Sequence, residues 1–340
     1  MIRLIVRAAL LLMLFWLVCA AVAFAAAPPT DEIAYISTIS GQYQAYRLDA
    51  QRGLIYRLRT GRDSVMRLAW SPDGAHLALT ICGPSADIRL CSIYLTDAFG
   101  GERRLLIEGA MAFGWSPDGG SLLYQGMFPN NTLYRLDFAT GARTGLIDFD
   151  PNTSAPSLSP DGRLIALTQM HLTPISRTPR LFRASAESFD VAPLTDHTAM
   201  DLDPVWSPDG SRISFLATPD FFVHTDLFVV NADGSDLLRV TRSGRALYHT
   251  WLGDSNRLVF VENERRRLII ADLDQRRFEA LDNRAAAFAP VLSGDNLYYV
   301  GDDLRLYRLY LPTRQATPVT AQRIFASNEG GRVLQRRPGL

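Results

Sequence analysis

Apolar residues in this chain gather in runs of three or four, separated by turn-forming residues at a spacing that repeats. Five such runs stand at 77–80 (Leu-Ala-Leu-Thr), 122–124 (Leu-Leu-Tyr), 164–167 (Leu-Ile-Ala-Leu), 213–216 (Ile-Ser-Phe-Leu) and 258–261 (Leu-Val-Phe-Val). Runs this short, bounded by Gly, Pro, Asp and Ser, predict β-strands, and no helical periodicity is present beyond the N-terminal segment. Ahead of each run lies a turn. It reads Trp-Ser-Pro-Asp-Gly at 70–74, 115–119 and 206–210, Leu-Ser-Pro-Asp-Gly at 158–162, and Trp-Leu-Gly-Asp-Ser at 251–255. Fainter copies are Leu-Ser-Gly-Asp-Asn at 292–296 and Ala-Ser-Asn-Glu-Gly at 326–330. Successive copies begin 45, 43, 48, 45, 41 and 34 residues apart, and a period near 45 marks a repeat architecture. Pro sets the turn's backbone torsion, Asp accepts its amide protons and Gly tolerates a positive φ, so the pentapeptide predicts a hairpin turn. The Trp or Leu that opens it is expected to pack between neighbouring repeats.

Each repeat holds four strand-like runs, a to d. In one full copy strand a ends at Trp115, b covers 122–125, c 133–136 and d 144–147. Between c and d lies an Asp-to-Gly turn at 137–141, repeated at 49–53 and 97–101 and varied at 231–234. Four-stranded units of this length arranged in a circle make an all-β fold, the β-propeller. The first run, 33–36, aligns with strand b and leaves no room for a strand a before it, while the run at 323–326 has no blade of its own. Joining the two gives seven blades closed by strands from both termini, which removes exposed sheet edges. Six blades with a loose N-terminal hairpin is the alternative.

The Trp-Ser-Pro-Asp-Gly turns, Leu-Tyr-Arg-Leu-Asp at 133–137 and Asn-Ala-Asp-Gly-Ser at 231–235 resemble the TolB-type propeller repeats, also called PD40 or WD40-like repeats. The resemblance covers residues 31–335 and only the propeller part, with no counterpart of the TolB N-terminal domain. It implies the fold. It leaves several functions open, because similar repeats serve envelope scaffolds, peptidase propellers and oligogalacturonate lyases.

Composition then narrows the setting. Arg3 and Arg7 precede an uncharged apolar stretch ending in Ala23-Phe24-Ala25, which matches a secretory signal over residues 1–25, with a single propeller domain over 26–340. An uncleaved anchor is the alternative, since about twenty apolar residues can also span a bilayer. Either way the propeller is exported, to the periplasm or beyond, and meets a membrane only through that segment if it is uncleaved. Lys is absent, and the 35 Arg balance 35 Asp and Glu. No basic patch for nucleic acid is implied. In an oxidising compartment Cys82 and Cys91, which flank one b-to-c hairpin, are expected to form a disulfide, two unpaired thiols being the alternative.

Little in the sequence points to catalysis. It holds no Gly-x-Ser-x-Gly nucleophile elbow, and a chain without Lys has no phosphate loop ending in Gly-Lys. The five His, at 76, 171, 197, 224 and 249, form no local metal-binding pair, and no cofactor is expected. Asp201 with Asp203, and Asp148 with Asp150, alternate as Ca2+ ligands can. Capping or solvated loop roles are the reading taken.

Loop lengths indicate where binding would sit. The a-to-b turns on one face are uniform, whereas the b-to-c connections at 125–131, 169–180 and 217–226 on the other face vary. They carry Phe128, His171, Arg177, Arg180, Phe221, Phe222 and His224, the candidate binding residues. The expectation is a monomeric, non-catalytic binding or scaffold module of the cell envelope, its partner a protein or peptide, or a glycan. The alternative is a metal-assisted carbohydrate-active enzyme, oligogalacturonate-lyase-like, with its site in the central funnel.

Overall fold

The computed structural model describes residues 32–336 apart from 84–89, 127–130, 149–155, 174–175, 189, 198, 220–223, 283–289 and 325–333. The expected signal or anchor therefore lies outside the described residues. Among those described, no helix is long and apolar enough to cross a membrane.

Seven four-stranded antiparallel sheets form the blades. The first contains β1 (Glu32–Ser37), β2 (Gln44–Asp49) and β3 (Leu54–Arg57). Blade two is β4 (Ser64–Trp70), β5 (His76–Cys82), β6 (Ser92–Asp97) and β7 (Arg104–Glu108), and blade three is β8 (Ala110–Trp115), β9 (Ser121–Gly126), β10 (Thr132–Asp137) and β11 (Arg143–Asp148). Blade four is β12 (Ser157–Leu158), β13 (Leu164–Thr173), β14 (Ser176–Ser185) and β15 (Val191–Pro193). Blade five is β16 (Met200–Trp206), β17 (Arg212–Thr218), β18 (Asp226–Asn231) and β19 (Leu238–Arg239). Blade six is β20 (Ala246–Trp251), β21 (Arg257–Glu262), β22 (Arg267–Asp272) and β23 (Arg277–Asp282). Blade seven is β24 (Val291–Ser293), β25 (Asn296–Val300), β26 (Leu306–Tyr310) and β27 (Gln315–Pro318), and β28 (Leu334–Arg336) returns to pair with β1 and complete blade one.

The ring closes as expected, but through a different segment. The run at 323–326 was expected to supply the missing strand, whereas Leu334–Arg336 does so. Ile324 is instead still tied to blade seven: its amide donates to Leu304 O at 2.8 Å, and its side chain is buried among Leu304, Leu306, Ile33 and Tyr35. The chain has not yet crossed to blade one at that point.

Packing follows the blade interfaces. Each of seven apolar clusters joins one blade to the next, the last joining Tyr298, Val300 and Leu306 of blade seven to Ile33, Tyr35 and Leu48 of blade one. Second strands such as β1 and β9 are buried along their whole length, while outer strands such as β3 and β19 are largely exposed. The repeated Trp also stitches blades together. Nε1 of Trp115, Trp206 and Trp251 donates to the backbone carbonyl of Ala69, Ser157 and Val205, each on the first strand of the preceding blade, at 3.0, 2.9 and 3.1 Å.

The Ser-Pro-Asp-Gly turn is built alike in four blades. The Ser71, Ser116, Ser159 and Ser207 hydroxyls donate to Asp73, Asp118, Asp161 and Asp209 at 2.5, 2.5, 2.6 and 2.6 Å. Each Asp in turn accepts the amide two residues on, from Ala75, Gly120, Arg163 and Ser211. The Ser hydroxyl, followed by that amide, holds the Asp73, Asp118 and Asp161 carboxyls below the ordinary carboxylate range. Each turn nests on the one before it, with Gly162 against the Pro117 ring and Gly210 against Pro160.

Candidate binding face

Antiparallel a-b-c-d order puts the a-to-b and c-to-d turns at one end of every blade and the b-to-c and d-to-a connections at the other. The turn face is uniform. The connection face is not.

The three variable connections belong to blades three, four and five, which are neighbours in the ring. In blade four the segment 169–180 was expected to be a loop. It is the outer part of a hairpin whose ladder runs unbroken from Leu164↔Ser185 to Thr173↔Ser176. A connection of only two residues, 174–175, lets pairing continue to the tip. β13 has 10 residues where β5, β9, β17 and β21 have 6 or 7, so the hairpin projects roughly 10 Å beyond them at about 3.3 Å per residue. His171 and Arg177 therefore lie on strands, opposite Thr178 and Leu172, and Arg180 lies opposite Gln169. Arg180 is half-buried, and its Nε has no hydrogen-bond partner among the described residues. His224 is exposed at the foot of β18, with its ring edge where a Cβ on Gly244 would sit, 3.0 Å away. Phe128, Phe221 and Phe222 lie outside the described residues.

On the same face the d-to-a connections after blades four, five and seven are locked by hydroxyls. Oγ1 of Thr195, Thr241 and Thr320 accepts the amide of Leu181, Leu227 and Leu306 at 3.2, 2.9 and 3.1 Å. Asp201 is fully buried and reinforces the first lock, accepting from Thr195 Oγ1 at 2.5 Å and from Leu181 N at 2.9 Å. His197 Nε2 stands 3.1 Å from its other oxygen, at ion-pair distance but off the line of a hydrogen bond, and its ring lies against Phe215 and Phe228. Gln125 Nε2, near the same face in blade three, is buried with no hydrogen-bond partner among the described residues. Buried polar atoms left this way are uncommon; besides this sector they occur at Arg47 in blade one and at His249 and Asn256 in blade six.

The lumen has its own chemistry. First strands contact one another in turn around the ring, from β28 to β4 and on through β24 back to β28, so they line the centre. Four of them carry a bulge near mid-strand, at 65–67, 112–114, 202–205 and 247–249. Arg67 of blade two and Asp203 of blade five attract one another across the axis, and the Arg67 guanidinium lies 4.9 Å over the Phe113 ring. Asp203 is open to the lumen, yet the protein wall around it withholds bulk solvent and pushes its carboxyl up, with Arg67 opposing. Asp201 and Asp203 thus point to different places rather than sharing an ion. Among the described residues no three His, Cys, Asp or Glu side chains converge as metal ligands do.

Cys82 and Cys91 form the expected disulfide, clamping the ends of β5 and β6 across the 83–90 connection. Sequence reasoning missed the Thr locks, whose signal was the recurring Leu-Thr or Val-Thr after strand d at 194–195, 240–241 and 319–320. It also missed the lumen bulges, although Pro204 inside a strand announces one.

Comparison with known proteins agrees with this architecture. An uncharacterized protein of Agrobacterium fabrum, Atu1656, is 31% identical over 160 residues, 45% of this chain and 52% of that protein, so the chain spans about half the length of this relative. TolB from Acinetobacter baumannii superposes with a TM-score of 0.55 at 16% identity, covering 90% of this chain and 82% of that one. An oligogalacturonate lyase in complex with manganese superposes at 0.62 and 16% identity, covering 86% of each chain. At these identities the structural likeness is one of fold alone. The family model described as the TolB beta propeller domain, PD40, matches residues 84–300, and the chain belongs to that family.

Proposed function

We propose that this chain is an exported, non-catalytic propeller that holds a protein partner of the cell envelope on its connection face, in the sector of blades three to five. The observation that carries the reading is the blade-four hairpin, which projects from that face near buried polar atoms of Gln125, Arg180, His197 and Asp201 that lack hydrogen-bond partners among the described residues. A projecting, fully paired hairpin on a closed ring offers a docking edge, and the Arg180 Nε and Gln125 amide, without partners among the described residues, favour a polar, shape-specific partner. Export is supported by the signal-like residues 1–25 and by a disulfide, which persists in oxidising compartments. Membership of the TolB propeller family fits a scaffold of this kind.

The test is quantitative capture from detergent-solubilised envelope by the immobilised chain. Replacing residues 170–179 with an Asn-Gly turn, or combining Phe221→Ala with Phe222→Ala, should weaken capture of the same partner at least about tenfold, equivalent to roughly 1.4 kcal/mol. Melting should shift by no more than a few degrees. Undiminished capture by both variants would remove the proposed sector from the interaction.

A further inference from the structure

A second surface runs along the outer strands where blades five and six meet. Between blades five and six, two contiguous cavities of about 540 and 240 Å3 share Val240, Arg242 and Phe278. Val240, Phe260, Ile269 and Phe278 form an apolar floor. Phe278 is 52% exposed, a large apolar side chain left open to water, and it meets Phe260 edge-on at 6.4 Å.

The rim is positive. Six Arg line the two cavities against two acids, Glu262 and Asp272, although the chain as a whole balances 35 against 35. Arg239 pairs with Asp226 and Arg245 with Glu264. Arg242, Arg265, Arg267 and Arg276 have no carboxylate within 4.0 Å among the described residues. Four guanidiniums around an apolar trough, none in an ion pair among the described residues and in excess over Glu262 and Asp272, match a ligand bearing both carboxylates and an apolar side chain.

We propose that this groove docks an extended acidic peptide segment whose central aliphatic or aromatic side chain rests on Phe278 and whose flanking Asp or Glu pair with the rim. A simple polyanion such as a nucleic acid or a sulfated glycan satisfies the rim but leaves the floor unused. The proposal does not depend on the sector of blades three to five.

The experiment measures fluorescence anisotropy of a labelled twelve-residue peptide, alternating Glu and Asp around a central Phe-Leu, titrated with the purified chain at low salt. Saturable binding with a Kd of about 100 μM or tighter is expected. It should weaken about tenfold with Arg242→Glu plus Arg265→Glu, with Phe278→Ser, and when Ser-Ser replaces Phe-Leu in the peptide. Arg242 and Arg265 are exposed, so that double variant should melt like the parent and separates lost binding from lost fold. The proposal is overturned if binding does not saturate, if the Ser-Ser peptide, a heparin fragment or phosphatidylglycerol vesicles bind as tightly, or if the Arg double variant binds the peptide like the parent.

Discussion

Alanine at Gly162 should loosen the ring more than alanine at Gly119, Gly141 or Gly210. All four glycines sit at φ between +71° and +73°, where an L side chain costs about 1–2 kcal/mol. Ala recovers roughly 0.4–1 kcal/mol by restricting the unfolded chain, so an otherwise open site such as Gly141 should lose about 1 kcal/mol. At Gly162 the added Cβ would lie 2.6 Å from Pro117 Cδ, against 3.7 Å from Pro72 at Gly119 and 3.5 Å from Pro160 at Gly210. A proline ring in the adjacent blade's turn cannot rotate away, so forcing the two turns apart adds about 1–3 kcal/mol. The expected total is about 2–4 kcal/mol at Gly162 and about 1 kcal/mol at the other three. Some 300 folded residues at about 2.1 cal/mol/K each give roughly 0.6 kcal/mol per degree, so Gly162→Ala should lower Tm by about 3–6 °C and the controls by about 2 °C. Urea midpoints read in parallel test the same order. If Gly162→Ala costs no more than Gly141→Ala, the nesting of successive turns does not hold the blades together.

The remaining predictions concern closure, the disulfide and acid. Ending the chain after Ile324 removes β28 and should lower Tm by more than about 5 °C, and ending it after Pro318 should lower it further by opening the cluster around Ile324; a chain ending at 324 that melts like the parent would contradict closure by Leu334–Arg336. Cys82→Ser with Cys91→Ser should cost about 2–3 kcal/mol, the chain-entropy value for a closed loop of about ten residues, and non-reducing peptide mapping of the parent should recover the two cysteines joined. Burial lowers the His249 pKa to about 4, against a modest opposing hydrogen bond with the Ser214 backbone. A neutral His inside the fold contributes stability that is complete above the unfolded pKa of about 6.5 and is lost as pH falls toward 4, at most about 3 kcal/mol. Urea midpoints between pH 7.5 and 4.5 should therefore fall more steeply for the parent than for His249→Leu, and parallel curves would refute a buried neutral His249.

How much of this was legible depended on burial. Second strands are buried on both faces and read as unbroken apolar runs, so 77–80 or 258–261 could be placed from sequence. Outer strands such as Leu238–Arg239 are exposed and take their conformation from the partner strand rather than from their own residues. The closing strand has only three residues, Leu-Gln-Arg, too few for an apolar run, whereas the run at 323–326 is apolar because Ile324 is buried, as a plug against Leu304 rather than as a strand. His171 and Arg177 read as loop residues in the sequence because the projecting end of a hairpin need not alternate as a blade strand does. The Arg-rimmed groove draws Arg242 from one blade and Arg265, Arg276 and Phe278 from the next, a juxtaposition made only when the blades pack.

Site-specific photo-crosslinking in intact envelopes tests the proposed function most directly. p-Benzoylphenylalanine in place of His171, on the blade-four hairpin, should give a discrete adduct with a single envelope protein, and the same residue in place of Asp118, on the turn face, should give none. Adducts from position 118 alone, or equally from both positions, would contradict a partner held on the connection face.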